Sequence, residues 1–221
     1  MKIIPSITTS NFEITEIQLN EVENNSSLRE FGLFLTGMHV KDDRMKLMQR
    51  LKDLGDCVIP LVHIRIDSTP EELDFCLNNF STEWFNLHGI HQDVFVTSDI
   101  YSYRHYILAE NSRVLTRLQL EHFAGICLDL SHYREDLLNR RNHFHELKES
   151  LNMYPIYCNH ISSVRKDRKN WYSEHIGNYE SDFDYLKAAP KEYWGTSCSC
   201  MELENSMKKQ GEFIDYIRSI V

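Results

Sequence analysis

Eight short apolar runs alternate with helix-like segments along the whole chain, and this alternation restricts its fold more than any other feature. The candidate strands are Lys2–Ser6, Phe31–Thr36, Val58–Ile66, Trp84–Gly89, Tyr106–Glu110, Gly125–Leu130, Pro155–Ile161 and Tyr193–Glu204. Strands separated by helices pair in parallel, because each connection crosses over the sheet. The pattern therefore predicts a compact, single (β/α)8 barrel of the α/β class. A doubly wound open sheet is the alternative, but it usually has a glycine-rich first turn, and Ser6–Ser10 contains no glycine.

Apolar residues recur at helical spacing between these runs. The clearest stripes are Met45, Leu47, Met48, Leu51 and Leu54 before Gly55; Leu73, Cys76, Leu77 and Phe80 after Pro70; Phe144, Leu147 and Leu151; and Phe213, Ile214, Ile217 and Val221. Weaker patterns predict helices at Ile14–Val22, at Val114–Phe123 and around Phe183 and Leu186.

Composition limits the classes of partner. The 221 residues are predicted to form one domain, 1–221, with a formal charge of −9 from 33 acidic and 24 basic side chains. Binding to nucleic acid through phosphate contacts needs clustered Lys and Arg, so this charge disfavours that partner. No run approaches the roughly 20 apolar residues of a membrane span, and no signal peptide is evident. We expect a cytoplasmic protein with no membrane partner and with its six cysteines reduced and buried.

Ionisable residues stand at the ends of six consecutive predicted strands. They are His63, His88, Glu110, Asp129 with His132, His160, and Glu202 with Glu204. In a (β/α)8 barrel the carboxyl ends of the strands converge on one mouth, where catalysis takes place. Imidazole nitrogens and carboxylate oxygens are the ligands of Zn, Mn, Fe and Co. Several carboxylates in one mouth repel one another unless cations bind, so the sequence predicts a divalent-metal site.

The ordered set Glu110-Asn, Asp129-x-x-His132, Asn-His160-Ile-Ser and Leu-Glu204-Asn resembles the xylose-isomerase-like TIM barrels. That superfamily contains sugar isomerases, sugar epimerases and AP endonucleases of the endonuclease IV type, also called AP endonuclease family 2. The resemblance implies metal binding through Glu110, Asp129, His160 and Glu204. Glu202 has the same strand parity as Glu204 and remains the alternative to it.

The resemblance also implies further ligands and a range of one to three ions of Zn, Mn or Co. His63, His88, His132 and His175 are the candidates for additional ligands. One departure is Ser173, which stands where the nuclease branch has an Asp. The chain is also shorter than nucleases of that type, which insert long loops that grip DNA.

Two chemistries fit this set of residues. The first is isomerisation or epimerisation of a sugar or sugar phosphate through a metal-chelated enediolate, with catalytic Glu110, Glu204 and His132. His63, His88, Arg165 and Trp171 would contact the substrate. The chain length and the net charge favour this hypothesis of a small-molecule substrate.

The alternatives are a multi-metal phosphodiesterase of the AP endonuclease type and a degenerate barrel that binds a metal or metabolite without turnover. The oligomeric state is left open.

Overall fold

The strands form one large parallel sheet and one hairpin in the computed structural model, which describes residues 2–112 and 115–221. The strands are β1 Ile3–Ile4, β2 Ser6–Thr8, β3 Gly32–Phe34, β4 Leu61–His63, β5 Trp84–His88, β6 Ile107–Glu110, β7 Ile126–Asp129, β8 Ile156–Ile161, β9 Ser163–Asp167, β10 Asn170–Glu174 and β11 Cys198–Met201. Nine of them pair in the order β1-β11-β8-β7-β6-β5-β4-β3-β2, and β9 pairs with β10.

Helices connect successive strands. They are α1 Phe12–Asn24, α2 Lys41–Asp53, α3 Pro70–Asn79, α4 Gln92–Phe95, α5 Arg117–Leu120, α6 Leu130–Leu138, α7 Phe144–Met153 and α8 Met207–Ile220. Short 3-10 helices occupy Gly89–His91, Asp99–Tyr106, Glu180–Ala188 and Lys191–Tyr193. Within the described ranges, no helix combines the length and the apolar character needed to cross a membrane.

Pro5 divides the first strand into two halves that close the barrel. β1 pairs with β11 on one side, whereas β2 pairs with β3 on the other. Pro5 has no N–H to donate, but its carbonyl accepts the Gly32 amide at 2.9 Å. Because the two halves are contiguous in the chain and pair with opposite neighbours, the sheet returns on itself. The predicted (β/α)8 barrel is therefore confirmed. Each of the eight predicted runs supplies one of its eight strands, the first of them in two halves.

The paired strands are shorter than the predicted runs. Val58–Ile66 shrinks to Leu61–His63, and Tyr193–Glu204 shrinks to Cys198–Met201 because Lys191–Tyr193 forms a 3-10 turn instead. Apolar loop residues pack under helices and extend the run in the sequence without joining the ladder. Tyr193, for example, packs its ring edge-on against Tyr133 of α6.

Most predicted helices are confirmed. The stripes in α2, α3, α7 and α8, and the weaker one in α1, all lie on helices. Val114 lies outside the described residues, and the remaining part of that predicted segment contains the single turn α5. The segment around Phe183 is a 3-10 helix. The β9–β10 hairpin was not predicted, since its polar residues lack a buried stripe.

The barrel interior is filled by its own small core, separate from the one between sheet and helices. Its buried members are Ile4, Phe34, Leu61, Leu108, Cys127, Cys158, Cys198 and Cys200. All six cysteines are free and buried, as predicted. Gly32 makes room in this core, because a Cβ there would lie 2.8 Å from the sulfur of Cys200. This core forms the floor beneath the mouth.

Candidate metal centre

The ionisable side chains of the mouth occupy the alternate strand positions that face the barrel interior. Asp129 pairs with His160 across β7 and β8, and His88 pairs with Glu110 across β5 and β6. Partners in a parallel ladder point to the same face of the sheet, and residues two apart on a strand share that face. The residue two positions before Asp129 is Cys127 of the interior core. The candidate ligands therefore form the next inward-facing layer above that core.

Glu110 lies at the centre of this layer. Its Oε2 is 3.3 Å from His63 Nε2 and 3.5 Å from His160 Nδ1, and its Oε1 is 3.7 Å from His88 Nε2. Asn86 donates a 2.7 Å hydrogen bond to Oε2. The side chain of Glu110 is only 2% exposed. Three imidazoles from three other strands thus converge on one buried carboxylate.

Glu202 closes the ring from β11. Its Oε2 is 3.4 Å from His160 Nδ1, and its Oε1 is 3.9 Å from His175 Nε2. Its amide donates to the carbonyl of Ile161 at 2.9 Å, which continues the ladder one step past Met201. This extra bond keeps Glu202 on the inward parity and brings its carboxylate into the centre.

Glu204 lies at the rim. Its carboxylate accepts a hydrogen bond from Ser10 Oγ at 2.5 Å, and its amide donates to the carbonyl of His175 at 2.6 Å. The chain has left the β8 ladder at this point. Among the described residues, the groups close enough to hold one cation include Glu202 and do not include Glu204.

Asp129 uses its two carboxylate oxygens differently. Oδ1 caps α6 by accepting from the amides of Ser131 at 2.7 Å and His132 at 2.9 Å. Oδ2 is 3.6 Å from His132 Nε2 and has no hydrogen-bond partner within the described part of the chain. The helix cap fixes the direction of the carboxylate and leaves one oxygen facing the centre.

The unsatisfied atoms fit a divalent cation. Both ring nitrogens of His63, both of His160 and Oδ2 of Asp129 are buried without a hydrogen-bond partner among described residues. Buried polar atoms are costly unless something pairs with them. Three overlapping groups hold all their ligand atoms within 4.8 Å of one another. They are His63, His88 and Glu110; His63, His160 and Glu202; and Glu110, Asp129, His160 and Glu202.

The electrostatic state of the centre also suits a metal. Burial lowers the pKa of His63 to about 3. Burial alone would raise the pKa of Glu110, but His63 and His160 outweigh it and hold that pKa well below its usual value. Burial is likewise outweighed at Glu202, where His175 and His160 lower the pKa to about 2. Metal ligands must be deprotonated. The lowered pKa values of both carboxylates favour that form, whereas at His160 burial is outweighed by Cys127 and Glu110, which raise the pKa well above its ordinary value, so a cation bound by His160 would displace a proton.

Two other predicted residues, Arg165 and Trp171, lie on the β9–β10 hairpin. Arg165, on β9, is engaged by Glu174 at 2.8 Å and Asp182 at 3.2 Å, so its guanidinium ties the hairpin to the following 3-10 helix. Trp171, on β10, lines a cavity of about 620 Å³ against α6. Lys166 lies 5.6 Å from the centre of the Trp171 ring. Neither Arg165 nor Trp171 belongs to the groups that could hold a cation.

Several neighbours of the centre were not predicted. Asn86 holds Glu110, and the ring of Phe34 packs 4.7 Å from that of His160. Arg65 lines a cavity of about 200 Å³ that adjoins His63 and His88. Asn86 had a signal in the sequence, because it shares strand parity with His88 two residues later. The contact of Phe34 depends on strands far apart in the chain and had none.

Comparisons with known proteins identify the fold. Neither protein-family models nor curated proteins match the chain. The crystal structure of SacUVDE aligns with a TM-score of 0.53 at 14% identity, covering 99% of this chain and 97% of that one. An AP endonuclease, family 2, from Brucella melitensis aligns with a TM-score of 0.43 at 11% identity, covering 97% and 98%. The alignment with SacUVDE extends over nearly the whole of both chains and shows that they share a fold. This confirms the predicted resemblance at the level of the fold.

Proposed function

We propose that this protein is a metal-dependent enzyme that hydrolyses phosphate esters with two or more divalent cations. One observation carries the proposal: Glu110 belongs to two ligand groups at once. One group consists of Glu110 with His63 and His88, and the other adds Asp129, His160 and Glu202 to Glu110. Glu110 would therefore contribute to holding more than one cation, and paired cations serve many phosphatases and nucleases.

The donor set favours zinc, manganese or cobalt, because it combines imidazoles with carboxylates and contains no thiolate. When bound, such cations activate a water molecule and neutralise charge on the phosphate. In this proposal Asn86 orients Glu110, and Phe34 closes the site from below. His132 and His175 remain candidates for further ligands.

Substrate contacts at Arg165 and Trp171 stay predictions. The guanidinium of Arg165 is already held by Glu174 and Asp182, and the Trp171 backbone bonds Asn139 at the end of α6 remote from the mouth. The net charge of −9 favours a small phosphate ester over a long nucleic acid.

A second candidate is the isomerisation or epimerisation of a sugar or sugar phosphate. It is favoured by two buried carboxylates, Glu110 and Glu202, which lie 3.5 and 3.4 Å from the same His160 nitrogen. Two carboxylates on either side of one substrate can act as general base and general acid. In this second candidate Glu202 takes the catalytic role predicted for Glu204, because the Glu204 carboxylate already accepts a hydrogen bond from Ser10.

The test combines metal analysis with three assays on the same preparation. Protein loaded with zinc, manganese or cobalt is assayed with bis(p-nitrophenyl) phosphate, p-nitrophenyl phosphate and a panel of ketoses in D2O. We expect two or more ions per chain and hydrolysis of a phosphate ester. Exchange of a substrate proton with solvent, without hydrolysis, would support the isomerase instead. Metal-loaded protein inactive in all three would overturn both.

Matched variants link any activity to the centre. Glu110→Gln should abolish it, whereas His145→Ala, which alters an exposed histidine of α7, should leave it unchanged. Activity that survives Glu110→Gln would belong to a contaminant or to another site.

A further inference from the structure

We propose that Ser173 and Glu135 are positioning residues that fix which nitrogen of the His132 ring faces the metal centre. The inference rests on the proposed function only in taking the cluster to be a metal centre. It concerns the β9–β10 hairpin, which packs against α6 at the edge of the mouth.

Three side chains form a hydrogen-bonded chain between these two elements. His132 and Glu135 lie one turn apart on α6, and Ser173 lies on β10. The hydroxyl oxygen of Ser173 is 3.0 Å from His132 Nδ1 and 3.0 Å from Glu135 Oε2. The Ser173 amide also donates to Glu135 Oε2, at 2.9 Å.

Counting protons fixes the direction of these bonds. A carboxylate only accepts, and a serine hydroxyl has a single proton to donate. Glu135 also receives Arg141 at 3.0 Å on its other oxygen, which supports its role as an acceptor. The Ser173 hydroxyl therefore donates to Glu135, and its oxygen accepts a proton from Nδ1 of His132.

The other ring nitrogen is then the one available to a cation. Nε2 of His132 lies 3.6 Å from Oδ2 of Asp129, the buried oxygen that has no hydrogen-bond partner in the described ranges. Outer partners of a metal-binding histidine commonly fix its tautomer and ring orientation in this way. Glu135 and Ser173 have this effect on His132 without contacting the centre themselves.

Bonds from the Asn139 side chain and from the β9–β10 ladder hold the hairpin against α6, and they set the distances between Ser173, His132 and Glu135. Asn139, near the end of α6, donates to the carbonyl of Trp171 at 2.7 Å and accepts from its amide at 2.9 Å. Ser173 pairs with Val164 in the β9–β10 ladder. The hairpin thus brings Ser173 to His132, 41 residues away in the chain.

The experiment measures the tautomer directly. Protein labelled with 15N-histidine and loaded with zinc is studied by long-range 1H–15N NMR, and zinc affinity is measured by chelator competition. For the unaltered chain we expect the His132 proton on Nδ1 and zinc on Nε2. Zinc on Nδ1, or a proton on Nε2, would overturn the proposal.

Two variants should act in different ways. Ser173→Ala should abolish the preference for a single His132 tautomer. It should also lower the affinity for the zinc ion held by His132 by about 10- to 100-fold. Glu135→Ala frees the Ser173 hydroxyl to donate to Nδ1, so in the zinc-free protein the proton should move to Nε2. Ser173→Thr keeps the hydroxyl and should behave like the unaltered chain. An unchanged tautomer in both alanine variants would overturn the proposal.

The matched control is Ser163→Ala. Ser163 lies on β9, its hydroxyl oxygen is 2.9 Å from the carbonyl oxygens of Glu174 and Ile176, either of which can accept its proton, and within the described residues it has no bond to His132. Equal loss of zinc in Ser163→Ala and Ser173→Ala would indicate a purely structural role and overturn the proposal. Normal tautomers in a protein that hydrolyses no phosphate ester would instead contradict only the proposed function.

Discussion

Two layers of the barrel interior come from the same strands and differ in what their side chains require. Cys127 and Asp129 are adjacent inward positions of β7, and Cys158 and His160 are adjacent inward positions of β8. All four are 0% exposed. Burial is therefore the same in both layers, and chemistry separates them. A thiol can be buried as a small hydrophobe, whereas a buried imidazole or carboxylate needs a partner.

The contrast assigns a different task to each layer. The lower one, with Phe34, Cys200 and their neighbours, fills the closed end of the barrel and stabilises the fold. The upper one, around Glu110, leaves buried polar atoms without partners in the described chain. Changes in the upper layer should therefore impair metal binding, and changes in the lower layer should impair stability.

The largest expected effect is at Glu110. Glu110→Gln removes the charge shared by two ligand groups with almost no change in volume. We expect metal affinity to fall by more than about 100-fold, beyond the loss caused by outer-shell partners. Metal content after dialysis measures this loss, and thermal unfolding of the metal-free protein checks that the fold is intact. Retention of the full metal content would show that the upper layer is not a metal centre.

Substitutions at Glu202 and Glu204 should distinguish the metal centre from the rim of the mouth. Asp129→Ala, His160→Ala and Glu202→Gln should each lower metal content sharply. Glu204→Gln should change metal affinity by at most about 5-fold, because an exposed hydrogen bond of this kind contributes only about 1 kcal/mol. The same dialysis assay compares them. A stronger effect at Glu204 than at Glu202 would mean that the last strand ends differently from the ladder described here.

Removing the metal should destabilise the protein. A ligand that binds only the folded state stabilises it by about 2.7 kcal/mol when present at 100 times its Kd. Treatment with a chelator should therefore lower the Tm, and added zinc or manganese should restore it. The Glu110→Gln variant is the control, and its Tm should not respond to metal. An equal response in that variant would indicate metal binding elsewhere.

The smallest effect concerns the lower layer. Gly32→Ala places a Cβ 2.8 Å from the sulfur of Cys200 and 3.4 Å from the ring of Phe34. Overpacking of this kind should cost about 1–3 kcal/mol in the free energy of unfolding, measured with urea. Adding Cys200→Ala removes the sulfur and should recover most of that loss. Metal content should stay unchanged, and a parallel loss of metal would contradict the separation of the two layers.

Much of this architecture can be predicted from local sequence patterns. The alternation of eight apolar runs with helices predicts the barrel, because parallel strands need a crossover after each strand. Strand parity predicts that the ends at His63, Glu110, Asp129 and His160 point into one mouth. These four residues do converge there, since a period of two along a strand depends only on the backbone.

The tertiary structure decides which of two side chains on the same face of a strand reaches the centre. Glu202 and Glu204 have the same parity, and the sequence offers no means to choose between them. The two carboxylates lie in different places because of where the last strand ends. Glu202 still bonds to Ile161 of β8, whereas Glu204 bonds to His175 of the loop. The same holds for Ser173 and Glu135, which meet His132 only because the hairpin packs on α6. Side-chain direction is set within a strand, but its partners come from distant segments that only the folded chain brings together.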